Sequence, residues 1–198
     1  LIINHIIWDF GKKQKRSLRY IVTHFVKPKK YGQLLFRLVN NFQSQNILEL
    51  GTSLGITTLY LALPDSKSKV ITLEGCHETA LRAKKNFALN EANNIELIEG
   101  EFGSTLPLAL SKIQQLDFVF FDGNHRREAT LNYFNECMKK SPPDSVFVFD
   151  DINWSNGMRE AWKIIKDDER VTLTIDLFFI GIVFFRPGQP KQHFTLLY

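Results

Sequence analysis

The chain has 198 residues, a length that suits one compact domain with a short extension. Hydrophobic residues make up 44% and charged residues 23% of the chain, a balance that excludes wholesale disorder. No apolar run reaches the roughly 18 residues needed to cross a bilayer, so a cytoplasmic protein without membrane spans is predicted. The two cysteines, Cys76 and Cys137, form no CxxC pair, which argues against zinc or a disulfide scaffold.

The net charge of +4 is distributed unevenly along the chain. Residues 1–45 hold nine Lys and Arg against one acid, whereas the remainder holds 16 basic and 20 acidic residues. A basic segment of this kind can attract a nucleic acid or an anionic substrate, and a solvated helix face is the plainer interpretation. The segment lacks the interleaved aromatic and basic residues that are typical of RNA-binding modules.

The pattern of the chain changes near residue 46. Residues 1–45 are predicted to form an N-terminal helical extension, a candidate lid, and residues 46–198 the main domain. The predicted strands of that domain cover residues 47–50, 69–73, 95–98, 116–121, 146–149, 171–177 and 180–185. The predicted helices cover residues 55–63, 77–91, 104–112, 126–139 and 156–167.

The first five predicted strands are nearly continuous apolar runs, a pattern typical of parallel strands that helices cover on both faces. Strands and helices alternate, which implies right-handed crossovers and a doubly wound sheet. The last two strands are close enough in sequence to form an antiparallel hairpin. The predicted fold is therefore α/β, with a Rossmann-like, mostly parallel, seven-stranded sheet and a C-terminal hairpin.

A glycine turn, ELGTSLG, joins the first strand to the first helix of this domain. Gly51 allows a tight turn, and Gly55 allows close packing where the helix starts. Glu74 ends the second strand, 23 residues after Gly51. An acid at that place can accept hydrogen bonds from both hydroxyls of an adenosine ribose, as in dinucleotide-binding folds. The alternative for Glu74 is a solvated acid at a strand end.

Two adenosine cofactors are compatible with such a turn. NAD prefers the fingerprint GxGxxG, and here Ser53 occupies the second position with the wrong spacing for it. S-adenosylmethionine carries no phosphate, so its loop needs no phosphate cradle.

From these motifs the chain resembles the class I S-adenosylmethionine-dependent methyltransferases over roughly residues 46–186. ELGTSLG looks like their first motif, Glu74 takes the place of their ribose-binding acid, and residues 98–102 look like the segment that borders the adenine. The resemblance implies S-adenosylmethionine as the cofactor. It implies contacts from Glu49, Gly51, Thr52, Ser53, Gly55, Glu74, Gly75, Glu101, Phe102 and Asp122.

Within the class, the stretches FFDGNH and FDDINW resemble the small-molecule O-methyltransferase branch, which includes the catechol and caffeoyl-CoA types. The resemblance implies methyl transfer to a hydroxyl of a small molecule. Metal-dependent members use an Asp after the fourth strand and Asp-Asn after the fifth, and the matching residues are Asp122, Asp150 and Asp151. A Mg²⁺ site, or another divalent cation, is one interpretation of these carboxylates. Direct contact with the acceptor, without a metal, is the other.

Asp122 and His125 are the candidate catalytic residues. Catechol-type enzymes place a Lys three residues after the first Asp, and here that position is His125, a residue type that can serve as a general base. A loop histidine bonded to backbone is the alternative. Asn153 and Trp154 are candidates for the acceptor pocket, although Trp154 is equally compatible with packing against the next helix.

Three further expectations concern partners. An RNA methyltransferase is an alternative suggested by the basic N-terminus, but the motif of amino-group nucleic-acid methylases is absent after the fourth strand. A non-catalytic S-adenosylmethionine-binding protein is the other alternative. The aromatic hairpin could pack against another subunit in a homodimer, with core burial as the competing fate of its rings: Phe178, Phe179, Phe184 and Phe185.

Overall fold

The computed structural model describes residues 4–9, 12–17 and 28–198, with side chains described from residue 28 onwards. The strands among these residues are β1 (Asn4–Asp9), β2 (Lys12–Ser17), β3 (Asn46–Leu50), β4 (Lys69–Glu74), β5 (Ile95–Glu99), β6 (Phe118–Phe121), β7 (Val146–Asp150), β8 (Leu173–Asp176), β9 (Ile180–Phe184) and β10 (Gln192–Thr195). The helices are α1 (Lys29–Phe42), α2 (Ile56–Ala62), α3 (His77–Leu89), α4 (Phe102–Ser111), α5 (Arg127–Met138) and α6 (Asn156–Asp167).

Eight of these strands form a mixed sheet in the order β10-β8-β9-β7-β6-β3-β4-β5. The pairs β3–β6, β6–β7 and β4–β5 are parallel, and β9 runs antiparallel to both β7 and β8. The predicted α/β class and the antiparallel C-terminal hairpin are confirmed. The prediction of seven strands missed β10, which pairs in parallel with β8 at the sheet edge. All four β10 residues are exposed, so its sequence carries no alternation of buried and polar residues.

The N-terminal helices were predicted incorrectly in part. Residues 4–9 and 12–17 form an antiparallel hairpin in which Asn4 lies opposite Ser17. Ile6, Ile7 and Trp8 are β-branched or aromatic, and such residues favour strands over helices. Among the described residues of this segment, α1 alone is helical as expected, and residues 1–3, 10–11 and 18–27 lie outside the described part of the chain. The domain boundary at residues 45/46 and the lid stay predictions.

The chain divides into two compact units. Unit 1 comprises Leu1–Gln45 and Gly51–Pro107, and unit 2 comprises Asn46–Leu50 and Leu108–Tyr198. In unit 1, the parallel strands β4 and β5 end together, with Glu74 paired in register with Glu99. Because the carboxyl ends of parallel strands lie at the same edge, this pair marks the carboxyl edge of unit 1, the edge at which open α/β sheets generally bind ligands.

The centre of unit 2 is the strand pair β6–β7, whose residues are all buried. The rings of Phe121 and Phe149 stack with centroids 4.3 Å apart and planes within 2° of parallel. Dense aromatic packing of this kind leaves little room for a strand to shift. The loops that leave the carboxyl ends of β6 and β7 therefore start from fixed points.

None of the helices in the described residues is long and apolar enough to cross a membrane.

Candidate functional site

The glycine turn of unit 1 has a backbone that only a few residue types adopt easily. Gly51, Ser53 and Gly55 have φ values of 112°, 49° and 76°, all in the positive region. The carbonyl oxygen of Leu73, on β4, accepts hydrogen bonds from the N–H groups of Gly51 at 3.0 Å and Thr52 at 3.1 Å. The turn is thereby held against the end of β4, and glycine is required where φ is largest.

Glu74 is fixed by backbone groups on both sides. Its Oε2 accepts a hydrogen bond from the N–H of Ser53 at 2.9 Å, and its Oε1 accepts one from the N–H of Cys76 at 2.8 Å. An ionised carboxylate has about four acceptor sites, so the Glu74 carboxylate retains capacity for a ligand hydroxyl. Ser53 and Glu74, both predicted to contact the cofactor, are thus joined to each other by a hydrogen bond.

Burial raises the pKa of Glu74 above its ordinary value. The N–H groups of Cys76, Ser53 and Gly75 act in the opposite direction, and the neighbouring carboxylate of Glu99 adds to the increase. An acid under these opposing influences is expected to gain from hydroxyl donors that replace the water it has lost.

The other predicted cofactor residues of unit 1 surround the same strand ends. The hydroxyls of Thr52 and Thr72 lie 2.6 Å apart in a buried pair that ties the turn to β4. Gly100 donates its N–H to the carbonyl of Glu74 at 2.8 Å, and Glu101, which is exposed, begins the turn into α4. Phe102 is partly buried at the start of α4, and Gly75 follows Glu74 directly.

Two predicted cofactor residues belong to unit 2 instead. Glu49 is fully buried within β3, and Asp122 follows β6. The N–H of Asp122 donates to the carbonyl of Leu50 at 2.8 Å, which continues the pairing of β6 with β3 by one bond. Their contact with a cofactor stays a prediction.

Gly55 has no room for a side chain. A Cβ at this position would lie 2.4 Å from Cε1 of Phe87, and the φ of 76° disfavours any side chain. We expect Gly55→Ala to lower the free energy of unfolding by about 1–3 kcal/mol, measured by urea denaturation. The control is Gly103→Ala, because a Cβ there meets nothing within 4 Å and helix propensity should raise stability slightly. Equal stabilities of the two variants would contradict this account of the turn.

In unit 2, the imidazole of His125 lies between two of the predicted carboxylates. Its Nε2 is 3.7 Å from Oδ1 of Asp122 and 3.9 Å from Oδ2 of Asp151. The side chains are accessible, with exposed fractions of 25% for His125, 21% for Asp122 and 18% for Asp151. Two carboxylates this close to each other are stabilised by a positive charge between them. The imidazolium form of His125 would supply that charge.

Asp150 does not join this cluster at the surface. It is the last residue of β7, it is 1% exposed, and it pairs with Ile180 of β9. Asp151 comes after the strand with a φ of 54°.

Among residues 28–198, whose side chains the structure describes, no group of three or more His, Cys, Asp or Glu is arranged to hold a metal ion. The predicted three-carboxylate centre therefore does not fit this geometry, and a metal requirement stays a prediction from resemblance.

The loops of unit 2 contain three non-glycine residues with positive φ: Asn124 at 52°, Asp151 at 54° and Phe178 at 72°. Asn and Asp tolerate this conformation, whereas a bulky Phe is a true outlier. The amide Nδ2 of Asn153 donates to the carbonyl of Phe178 at 2.8 Å and holds the β8–β9 turn to the loop after β7. Backbone strain of this kind accumulates at functional sites.

The two candidate acceptor residues have different environments. Asn153 donates a hydrogen bond to the carbonyl of Phe178, while Trp154 is 64% exposed and is therefore not a buried packing residue. In the aromatic hairpin, Phe184 and Phe185 are buried, but Phe178 and Phe179 are exposed and contact each other edge to face, with centroids 4.9 Å apart. Half of these rings are therefore core residues, as the competing interpretation stated.

Sequence reasoning missed several contributors to these sites. The N–H of Cys76 and the hydroxyl of Thr72 are contacts that only the fold reveals. Tyr133, on α5, accepts a hydrogen bond from Asn124 at 2.9 Å. Asn124 itself had a usable signal, because Asn beside Gly in a short loop favours a left-handed backbone.

A family model described as "Methyltransferase domain" matches residues 48–152 of the chain. Among curated proteins, an O-methyltransferase of Aspergillus flavus is 25% identical over 63% of this chain and 49% of its own length. A catechol O-methyltransferase of Niastella koreensis is 28% identical over 61% of this chain and 55% of its own length. The chain thus spans about half the length of the curated relatives it matches.

A solved structure of an O-methyltransferase from Bacillus cereus, in complex with SAH, resembles this one with a TM-score of 0.70. The two chains are 28% identical, and the match covers 84% of this chain and 85% of the other. The RNA-methylating and non-catalytic alternatives are not favoured by these relatives.

Proposed function

Because this chain belongs to the methyltransferase-domain family whose model matches residues 48–152, we propose that it is an S-adenosylmethionine-dependent O-methyltransferase. The acceptor would be a small molecule that carries a hydroxyl group, as the names of its catechol O-methyltransferase relatives suggest. The observation that carries the proposal is the carboxylate of Glu74, held by the N–H groups of Ser53 and Cys76 at the end of β4.

Unit 1 would bind the adenosine part of the cofactor. The carboxylate of Glu74 retains acceptor capacity and would receive hydrogen bonds from the ribose hydroxyls. The turn that contains Gly51 brings backbone rather than side chains to the ligand, so a cofactor can approach closely. The relative from Bacillus cereus, crystallised with SAH, supports this class of ligand.

Unit 2 would handle the acceptor. A sulfonium donor is already activated, so catalysis depends mainly on holding the acceptor oxygen in line with the methyl group. The acceptor hydroxyl must lose a proton as the O–CH₃ bond forms and the S–CH₃ bond breaks. His125 would receive that proton, and the carboxylates of Asp122 and Asp151, at 3.7 and 3.9 Å, would stabilise the imidazolium that results.

The proposed cofactor is tested first by calorimetry. We expect S-adenosylmethionine to bind the purified chain and NAD to bind at least about tenfold more weakly, a difference of about 1.4 kcal/mol. The physical reason is the missing phosphate cradle, since Ser53 replaces the second glycine of the NAD fingerprint. Tighter binding of NAD than of S-adenosylmethionine would contradict the assignment.

The acceptor is tested by a product screen. Radiolabelled methyl groups from S-adenosylmethionine are followed into catechol, into a pool of small hydroxylated metabolites, and into RNA. Transfer to a small hydroxyl compound is the expected result. Transfer to RNA alone, with a steep salt dependence of binding, would replace the small-molecule proposal by a nucleic-acid substrate. The cytoplasmic location and the homodimer are not addressed by this screen and stay predictions.

A further inference from the structure

Tyr133 connects a core helix to the loop that carries two of the proposed catalytic residues. It lies on α5, its side chain is 7% exposed, and its hydroxyl oxygen accepts a hydrogen bond from Nδ2 of Asn124 at 2.9 Å. Asn124 sits between Asp122 and His125 in the loop from β6 to α5. The hydroxyl of a largely buried tyrosine thus contacts this loop at its middle.

The conformation of Asn124 determines where the following residue points. Its φ is 52°, in the left-handed region, and its carbonyl accepts the N–H of Arg126 at 2.6 Å across a tight turn. A left-handed residue reverses the local course of the backbone, and a non-glycine residue holds it only when its surroundings favour it. The hydrogen bond to Tyr133 is one such constraint.

The contacts of the imidazole itself are too long to orient it. The separations of 3.7 Å to Asp122 and 3.9 Å to Asp151 exceed hydrogen-bond length. Charge attraction at these distances depends weakly on angle, so the position of the His125 ring has to be set by the loop backbone. The loop backbone is in turn restrained through Asn124.

We propose that Tyr133 is a positioning residue for methyl transfer: through Asn124 it keeps the imidazole of His125 between the carboxylates of Asp122 and Asp151. This inference rests on the proposed function for its catalytic consequence. Tyr133 is 7% exposed, and its effect on the reaction would pass through its hydrogen bond to the loop.

The first test removes the single hydroxyl with Tyr133→Phe. The expected result is a fall in kcat with catechol of about tenfold to a hundredfold, because a misplacement of about 1 Å has effects of this size. The dissociation constant for S-adenosylmethionine should change by less than about twofold, since the proposed ribose contacts belong to unit 1. A merely structural role would instead lower the unfolding temperature without a selective effect on kcat.

The matched control is Thr130→Val on the same helix. Thr130 is also buried, and its hydroxyl donates to Sδ of Met158 at 3.4 Å, away from the loop. The control removes a buried hydroxyl from α5 and should leave kcat within about twofold of the native value. A second variant, Asn124→Gly, accepts the positive φ without strain and lacks the amide. Adding Tyr133→Phe to it should have no further effect on kcat.

Backbone NMR of residues 122–126 gives a readout that does not need turnover. We expect the amide shifts of these residues to change in Tyr133→Phe and to stay unchanged in Thr130→Val. Unchanged loop amides in Tyr133→Phe would overturn the positioning role, as would a native kcat in an enzyme that methylates catechol. If the loop moves but the native protein transfers no methyl group to any acceptor, the proposed function fails and the structural link between Tyr133 and the loop stands.

Discussion

Replacing His125 by alanine is expected to lower kcat for methyl transfer by about 10²- to 10⁴-fold, the range associated with loss of a general acid–base group. The imidazole is the one nitrogen base that the described structure places between Asp122 and Asp151, at 3.7 and 3.9 Å. Without it, the acceptor proton would pass to water or to a carboxylate, and the two carboxylates would lose their positive counterpart. Single-turnover rates with saturating S-adenosylmethionine measure the effect on the chemical step.

The control for this variant is His193→Ala. His193 lies on the edge strand β10, where its Nδ1 is 2.7 Å from the hydroxyl of Thr174, so its loss should not affect the acceptor site. Imidazole added to the buffer should restore part of the activity of His125→Ala. It should not change the activity of His193→Ala. A kcat for His125→Ala within about threefold of the native value would remove the histidine from the mechanism.

Parallel assays with EDTA and with added Mg²⁺ test the metal requirement suggested by the resemblance.

Replacing Glu74 by alanine is expected to weaken S-adenosylmethionine binding by about a hundredfold. Two hydrogen bonds from ribose hydroxyls to a charged acceptor are lost, each with a net contribution of about 1.5 kcal/mol at the lower end of the usual range. The N–H groups of Ser53 and Cys76, which now donate to this carboxylate at 2.9 and 2.8 Å, would also lose their partner. Titration calorimetry gives the affinity, and urea denaturation gives the separate cost to stability.

Glu99→Ala is the matched control, because Glu99 is the register partner of Glu74 on the adjacent strand β5. Its carboxylate is already paired with Nδ1 of His77 at 2.6 Å, so it is not expected to contact the ribose. Glu74→Gln keeps one acceptor oxygen and should have an intermediate affinity. Equal losses in Glu74→Ala and Glu99→Ala would show that the effect is electrostatic and not specific to ribose recognition.

The sequence alone was sufficient for the central α/β architecture. The predicted strand at residues 146–149 and the predicted helix at 156–167 match β7 and α6 to within one residue. These segments could be predicted because burial on both faces of a parallel strand leaves a continuous apolar run, and a helix leaves apolar residues at helical spacing. The family resemblance followed from motifs at the ends of such strands.

The remaining elements depend on contacts that the sequence does not display. β10 is exposed at every residue, and β2 is a basic run, KKQKRS, whose composition is equally typical of a solvated helix face. At the candidate site, Asp150 and Asp151 are adjacent and chemically identical, yet one ends a buried strand and the other faces the histidine. The alternation of side chains along the strand and the residue at which β7 ends determine which aspartate is buried. The ends of an element are its least predictable feature.

The positive φ angles of Asn124, Asp151 and Phe178 bear on any attempt to engineer a more heat-resistant form of this protein. Glycine at such positions would relieve the backbone, so a search guided by stability alone would select it, most strongly at Phe178. The same changes would loosen the loops that are proposed to hold the acceptor, and activity would fall as the melting temperature rose. Gly103, on α4, where an added Cβ would meet nothing within 4 Å, is the better starting point for such work.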